Sequence, residues 1–187
     1  AVGRFVAKKG PLDTLEAFAL LQGLTEHADV CSLVMVGDGP LLSVVQDRVR
    51  QLGLEHLVQF PGVLSPDAVA QEMRRARVFV QHSRTAEDGD EEGCPVSVME
   101  AQLCGLPVVA TRHGGIPDVV VDQQTGRLVE EGDRRGMAEA MALLADRQDL
   151  AGAWGAAGQR RTQARFTVKH HVDQITMLLN DLVDHRR

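Results

Sequence analysis

The chain has 187 residues, of which 44% are hydrophobic and 25% charged, which is the composition of one folded domain with a sizeable core and not of a disordered chain. Its formal net charge of -6 argues against a nucleic-acid-binding surface, which needs clustered lysine and arginine. The three cysteines show no CxxC spacing, so the sequence predicts neither a disulfide framework nor a zinc site and favours the reducing cytoplasm. It shows no apolar run of membrane-spanning length and no signal peptide.

Strands and helices alternate along the sequence. Ala1–Phe5 has the pattern of the last residues of a buried strand, which predicts that the chain is part of a longer polypeptide. Further strands are predicted at 31–36, 58–60, 77–81, 107–111 and 127–129, and helices at 11–24, 41–52, 65–75, 95–104, 134–146, 148–165 and 168–184. Ser65 and Thr167 are expected to cap two of these helices. The alternation predicts a Rossmann-like, doubly wound parallel α/β sheet with C-terminal helices, whose ligands bind at the carboxyl ends of the strands.

Two glutamates flank the predicted start of the helix over 95–104. Glu92 ends an acidic loop, and Pro95 occupies the expected first helical position. On a helical wheel Glu100 falls within an apolar stripe, which is unusual for a charge. Its neighbours on the wheel are Val96, Leu103 and Cys104. Either Glu100 simply reaches solvent past these neighbours, or the helix borders a pocket where the amides of residues 93–96 attract an anion and Glu100 accepts hydrogen bonds from hydroxyls.

Two cations bracket the loop after the first predicted strand. Arg4 precedes the loop and Lys9 ends it, close to the start of the next helix. Such a pair could grip a pyrophosphate, with arginine binding in fork geometry and lysine acting as a point charge. The simpler alternative is that Lys8 and Lys9 are solvated loop residues.

The turn Gly37-Asp38-Gly39-Pro40 joins a predicted strand to a predicted helix. Two glycines at such a place suggest a dinucleotide-binding fingerprint, but Leu42 stands where the third glycine belongs and Pro40 intervenes. The turn therefore favours a tight backbone path over an NAD site.

Three further features have ordinary interpretations. The acidic residues of 87–92 lack the alternating ligands of a calcium loop and are expected to be mostly a solvated, flexible loop. Cys94 lies near a helix N-terminus, which is expected to lower its thiol pKa, but no histidine is placed as its base and we interpret it as filler. His82 and His113 are expected to be pocket walls or capped loop residues and not acid–base catalysts.

Together these motifs resemble the family 4 retaining glycosyltransferases of group 1 type, which have the GT-B fold. The chain is similar over its whole length to their C-terminal, donor-binding domain. The resemblance rests on the Glu-x7-Glu pair Glu92 and Glu100, on Gly3-Arg4 followed by Lys9-Gly10, and on the turns at 37–40, 105–107, 114–117 and 125–129.

The resemblance implies a role for each matching residue. Arg4 and Lys9 would bind the donor diphosphate, and Glu92 would contact the transferred sugar, so these three form the expected catalytic set. Glu100 would hold the ribose hydroxyls, and backbone near Val63 would contact the base. The full set of expected donor-binding residues is Gly3, Gly37, Gly39, Val63, Gly93, Cys94, Pro95, Val96 and Glu100.

The resemblance also implies the partners. The donor would be a UDP-, GDP- or ADP-sugar, with no metal or other cofactor required. A glycan or lipid-linked acceptor would be recognised by an N-terminal domain absent from residues 1–187, so that this domain alone binds donor weakly and catalyses little. The acidic run over 86–93 is closest to enzymes that build colanic-acid-like polysaccharides, and the full-length enzyme could associate peripherally with membranes. A nucleotide-binding or interaction module without its own activity is the alternative.

Overall fold

The computed structural model describes residues 1–27 and 30–184, so the last three residues of the domain predicted over 1–187 lie outside the described part. The strands are β1 (Leu33–Val36), β2 (Val58–Gly62), β3 (Phe79–Gln81), β4 (Val108–Thr111) and β5 (Gly126–Val129). The helices are α1 (Pro11–Leu21), α2 (Leu42–Leu52), α3 (Pro66–Arg75), α4 (Val96–Leu103), α5 (Ile116–Val119), α6 (Arg134–Asp146), α7 (Gln148–Arg165) and α8 (Val168–Asp184). A 3-10 turn, Ala7–Lys9, precedes α1.

The named strands pair in parallel. β1 pairs with β2, and β3, β4 and β5 form a second ladder in that order, in which Phe79 faces Val108 and Val109 faces Arg127. β4 is buried along its whole length, as expected for a parallel strand covered on both faces. The predicted Rossmann-like α/β fold with C-terminal helices is therefore confirmed.

The strand predicted over Ala1–Phe5 is wrong. Val2 forms only an isolated parallel bridge with Val36, and the Ala1 terminal nitrogen donates to the Val34 carbonyl at 2.9 Å. A cavity of about 710 Å³ lies between β1 and β3, on the other side of this segment. The pairing of this segment with β1 is limited to the single bridge at Val2, which is too short to form a strand.

Several element boundaries differ from the sequence prediction by one to three residues, and three of them have a clear local cause. α1 ends at Leu21 and not at residue 24, because Gly23 disfavours further helix. β4 begins at Val108 because Pro107 has no N–H to donate to a ladder. β3 is correspondingly short, since its pairing with β4 begins at Phe79.

Local capping explains where several helices start. The Ser65 hydroxyl accepts from the Ala68 amide at 3.3 Å at the start of α3, and Thr167 accepts from the His170 amide at 3.1 Å at the start of α8, so both predicted caps are confirmed. The short helix α5 was not predicted, although Pro117 at its first turn is a recognisable start signal.

The core has two parts, one that joins β1 and β2 to one face of the β3–β4–β5 ladder and one on the opposite face of that ladder. In the first, α1 packs on α6, and in the second, α4 packs on α7. Both arrangements leave the loops at the carboxyl ends of the strands on one edge of the domain. In the described part of the chain, no helix is both long enough and apolar enough to cross a membrane.

Candidate functional site

The two predicted glycines after β1 bring the Arg4 segment to the edge of the sheet. A Cβ at Gly37 would lie 2.0 Å from the Gly3 carbonyl oxygen, and one at Gly39 would lie 2.7 Å from the Phe5 nitrogen. Both glycines have positive φ, 133° and 155°. Only glycine permits these approaches, so the turn fixes the backbone on both sides of Arg4. The turn with Gly37 and Gly39 thus positions the segment that carries Arg4, as expected of a tight turn.

Lys9 and Glu92, both predicted to be catalytic, meet directly. Lys9 Nζ lies 2.7 Å from Glu92 Oε2, and the two side chains are only 18% and 15% exposed. The aliphatic part of Lys9 runs over Gly3, where a Cβ would be 3.6 Å from its carbons. Arg4 is exposed and forms no ion pair among the described residues. Arg4 is thus a cation available to a ligand, whereas Lys9 is held by a carboxylate.

The acidic loop is more ordered than predicted. Lys8 Nζ donates to Asp90 Oδ1 at 2.9 Å, and this hydrogen bond raises the pKa of Lys8. The Ala86 amide donates to the Asp90 carbonyl at 2.9 Å, and the Thr85 hydroxyl donates to Glu91 at 3.2 Å. Residues 87–91 are exposed, as expected of a solvated loop, but Lys8 and Thr85 anchor its second half.

The predicted anion-binding segment lies at the start of α4. Pro95 is the buried N-cap and not the first helical residue, since α4 begins at Val96. Val98 is the first helix amide with a backbone acceptor, the Pro95 carbonyl at 3.0 Å. The amides of Gly93, Cys94 and Val96 donate to no acceptor in the described part of the chain. These exposed donors have the character of an anion site.

Glu100 does not lie in a buried stripe. It is exposed, and its neighbours Val96 and Leu103 are 62% and 40% exposed. The buried face of α4 consists instead of Val98, Ala101 and Gln102. The wheel correctly grouped Glu100 with these neighbours, but the face that they form is exposed, which is compatible with both alternatives stated for Glu100. Glu100 projects from the same exposed face as Val96, one turn after the open amides.

Cys94 differs from the sequence expectation. Burial, together with the nearby carboxylates of Asp118 and Glu92, raises the pKa of the Cys94 thiol instead of lowering it. A thiol that holds its proton is a poor nucleophile, which agrees with its interpretation as filler.

Val63 lies on the turn after β2 and is 77% exposed. Its neighbour Gly62 accepts a hydrogen bond from the Gly37 amide at 2.9 Å, so this turn adjoins the glycine turn after β1. The structure places Val63 at the same edge as the other predicted residues without a direct contact to Arg4, Lys9 or Glu92.

The sequence analysis did not predict the contacts of two groups of residues. His113 is buried and bonds both to Glu131 and to the Glu92 amide. Asp13, 3% exposed at the start of α1, pairs with Arg134 and Arg84. Because these partners are far apart in sequence, no local spacing could have revealed them.

The site as it stands is an open surface and not an enclosed pocket. A pocket of about 30 Å³ borders Gly3, Arg4 and Lys9, which is the volume of roughly one water molecule and far below a ligand site of about 300 Å³ or more. The described residues include no cluster of three or more His, Cys, Asp and Glu side chains that could hold a metal ion. The arrangement offers a free guanidinium, an ion-paired lysine and open amides, a set suited to an extended anionic ligand.

Comparisons with known proteins agree on one family. The family model "Glycosyl transferases group 1" matches residues 1–161. The chain is 36% identical over 153 residues to the "Putative colanic acid biosynthesis glycosyltransferase WcaL" of Escherichia coli (strain K12), covering 81% of the chain and 37% of that protein. It is 33% identical over 166 residues to the "GDP-mannose-dependent alpha-(1-6)-phosphatidylinositol monomannoside mannosyltransferase" of Mycobacterium tuberculosis (strain ATCC 25618 / H37Rv), covering 88% and 42%. The chain spans less than half the length of these curated relatives.

Solved structures show the same fold. Anabaena Alr3699/HepE in complex with UDP and glucose superposes with a TM-score of 0.77 at 24% identity, over 96% of this chain and 48% of that one. The C-terminal domain of the group 1 family protein LpcC from Francisella tularensis gives 0.77 at 21% identity, over 89% of this chain and 85% of that one. The second match is to a separate C-terminal domain, as the sequence analysis expects.

Proposed function

Because this chain belongs to the group 1 glycosyl transferases, we propose that it is the donor-binding half of a retaining glycosyltransferase and binds a nucleotide-diphosphate sugar. The observation that carries the proposal is the Lys9–Glu92 pair next to the open amides of Gly93, Cys94 and Val96, with Arg4 bordering the same small pocket as Lys9. Cations and unpaired amides at the carboxyl ends of parallel strands suit a diphosphate.

The chemistry follows from stabilising the leaving group. As the bond from the sugar carbon to the diphosphate breaks, negative charge grows on the β-phosphate and the sugar becomes oxocarbenium-like. Arg4, Lys9 and the amides of 93–96 would meet that charge with donors already in place, which favours the transition state over the ground state. Glu100 would accept hydrogen bonds from the ribose hydroxyls, and Glu92 would face the transferred sugar.

The Lys9–Glu92 ion pair adds a step to this scheme. Without ligand the lysine is neutralised by the carboxylate at 2.7 Å, whereas Arg4 has no such partner. An incoming diphosphate would therefore meet Arg4 first and then share Lys9 with Glu92. In this scheme the same contact brings the Glu92 carboxylate beside the sugar that the diphosphate carries.

The open site explains why a second domain belongs to the proposal. A pocket of about 30 Å³ cannot enclose a nucleotide sugar, and the chain spans 37% to 42% of the two relatives compared above. A second domain, outside these residues, would supply the other wall of the donor site and recognise a glycan or lipid-linked acceptor. The relatives' names support a role in the assembly of a polysaccharide or glycolipid, and a cytoplasmic location is part of the proposal. Peripheral membrane association and independence from metals belong to the same proposal.

Calorimetric titration of the purified chain with UDP, GDP and ADP tests donor binding. We expect saturable binding of one nucleotide, weakened about tenfold or more by Glu100→Ala because the ribose hydroxyls lose a charged acceptor. Glu139→Ala is the matched control, since Glu139 is an exposed helix glutamate that pairs only with Arg135 among the described residues.

The titration has two contradicting results. If no nucleotide binds, this chain does not form a donor site by itself and the proposal in its present form is wrong. If Glu100→Ala and Glu139→Ala bind equally well, the nucleotide binds elsewhere and the assignment of Glu100 to the ribose fails.

A further inference from the structure

His113, which the proposed catalytic steps do not use, holds the backbone that carries Glu92. Its side chain is 3% exposed. The Nε2 atom accepts a hydrogen bond from the Glu92 amide at 3.0 Å, and Nδ1 lies 2.5 Å from Glu131 Oε1. Because a backbone N–H can only donate and a carboxylate can only accept, the neutral ring carries its proton on Nδ1.

The two residues after His113, Gly114 and Gly115, contact the backbone carbonyls of Glu92 and Gly93. The Gly115 amide donates to the Gly93 carbonyl at 2.7 Å. A Cβ at Gly114, whose φ is +50°, would lie 2.1 Å from the Glu92 carbonyl oxygen, so only glycine permits this approach. The His113–Gly115 turn therefore holds the backbone from the Glu92 amide to the Gly93 carbonyl.

Glu131 fixes the orientation of the histidine ring. Its second oxygen, Oε2, accepts from the Thr85 amide at 2.9 Å, so the carboxylate joins the histidine to the start of the acidic loop. Partial burial opposes ionisation, but the hydrogen bonds from His113 and Thr85 prevail and lower the pKa of Glu131. The ionised carboxylate is the acceptor that selects the Nδ1–H tautomer.

We propose that His113 is a positioning residue of the donor site, which in the Nδ1–H tautomer holds the Glu92 amide and thereby sets the direction of the Glu92 carboxylate and of the amides that follow it. Its effect on donor binding rests on the proposed function, whereas its hold on Glu92 does not. Holding the peptide also keeps Glu92 against Lys9, at 2.7 Å. A group prepared in this way loses less conformational freedom when the ligand arrives.

Nuclear magnetic resonance of the labelled chain tests the hold directly. In the wild type, a long-range proton–nitrogen spectrum should show Nδ1 of His113 protonated and Nε2 unprotonated. This measurement needs no variant, so it decides the tautomer even if a substitution disturbs folding. A proton on Nε2 would overturn the proposal.

Two substitutions separate positioning from packing. His113→Gln keeps a carbonyl that reaches the Glu92 amide, whereas His113→Asn keeps a donor towards Glu131 but is too short to reach Glu92. Hydrogen exchange at the Glu92 amide should speed up about fivefold or more in the asparagine variant and little in the glutamine variant. The amides of β4 are the internal reference for an intact fold. Equal exchange at Glu92 in the two variants would overturn the proposal.

Nucleotide titration of the same variants links the hold to the site. Affinity for the nucleotide that the wild type binds should fall about fivefold in His113→Asn and recover in His113→Gln. A loosened Glu92 amide with unchanged affinity would contradict the positioning role. Failure of the wild type to bind UDP, GDP or ADP would count against the proposed function, and the tautomer and exchange results would still decide whether His113 holds Glu92.

Discussion

Two adjacent lysines in one turn have different surroundings, and this difference should appear in stability. Lys8 and its partner Asp90 are 28% and 56% exposed, so solvent screens their ion pair. Lys9 and Glu92 are 18% and 15% exposed, so loss of either partner leaves a charge that is mostly out of water. The second pair therefore depends on both partners in a way that the first does not.

We expect Lys9→Met to lower the free energy of unfolding by about 2 kcal/mol, because it leaves the Glu92 carboxylate uncompensated in a partly solvated place. Lys8→Met, the matched control, should change stability by no more than the error of the measurement. Urea unfolding of both variants at pH 7 checks this.

The double variant Lys9→Met with Glu92→Gln identifies the cause. It should recover most of the lost stability, because it removes the uncompensated carboxylate while keeping the shape of both side chains. If the double variant is as unstable as Lys9→Met alone, the loss comes from packing over Gly3 and not from the charge.

Residue types at fixed spacing allowed the candidate site residues to be predicted from the sequence. They did not allow the contacts around those residues to be predicted. The resemblance brought Lys9 and Glu92 into one catalytic set, and the structure places them in contact. It gave no sign that His113 and Glu131 hold Glu92, because that arrangement joins loops from three strands. The exposure of the α4 face that carries Glu100 could not be predicted for a related reason. A helical wheel identifies the faces of a helix but not which of them the rest of the chain covers.

At the scale of elements, the helix that carries Glu100 is fixed by close packing against α7. A Cβ at Gly155 of α7 would lie 1.9 Å from the Gly105 carbonyl oxygen. The buried Gln102 donates to Thr125 at 3.0 Å and accepts from the Thr162 hydroxyl at 2.7 Å, which ties α4 to α7 and to the turn before β5. Such a satisfied buried network specifies one arrangement of the two helices.

Glycine substitutions along α7 test this contact. Gly155→Ala should lower the free energy of unfolding by about 2–3 kcal/mol, since the new methyl meets backbone that cannot move aside cheaply. Gly152→Ala, three residues earlier in the same helix, meets nothing within 4 Å and should raise stability by about 0.5–1 kcal/mol through helix propensity. Thermal and urea unfolding of both variants provide the measurement. Equal effects at the two positions would show that α4 does not depend on a close approach to α7.

Elements were predictable where local signals suffice. Caps such as Ser65 and the helical periodicity of 134–184 gave the correct helices. The segment Ala1–Phe5 was not predictable in this way, because a strand also needs hydrogen-bonding partners on neighbouring strands. An apolar pattern indicates that a segment is buried, but not which ladder it joins.

At the scale of the whole molecule, a polypeptide prepared to begin at Ala1 would place its terminal amine against the interior. Ala1 is half-buried, and its terminal nitrogen donates to the Val34 carbonyl beside the cavity of about 710 Å³ between β1 and β3. Burial lowers the pKa of this ammonium from 8.0 to about 5. The folded chain therefore favours the neutral amine, whereas the unfolded chain binds a proton at any pH below about 8.

The direction of the pH effect follows from this difference in proton binding. Between pH 5 and 8 the unfolded state binds more protons, so the free energy of unfolding should rise with pH. Because Ala1 is partly exposed to solvent, the measured effect should be smaller than that of a fully buried amine. Burial also lowers the pKa of His82, which adds an effect of the same sign below about pH 6.5. Raised thiol pKa values of Cys31 and Cys94 act only near pH 9 and above.

The window from about pH 7 to 8 thus reports mainly on the terminal amine, because the histidine and thiol groups change little there. A polypeptide that begins at Ala1 should gain about 1 kcal/mol of stability per pH unit across this window. The same polypeptide with an acetylated Ala1 cannot titrate there, so its stability should be nearly constant and higher at about pH 7, since the adjoining cavity has room for the acetyl group. Urea unfolding of the two forms at several pH values is the measurement. Identical pH profiles would show that the amine reaches solvent in the folded chain and that the packing between β1 and β3 is looser than the structure indicates.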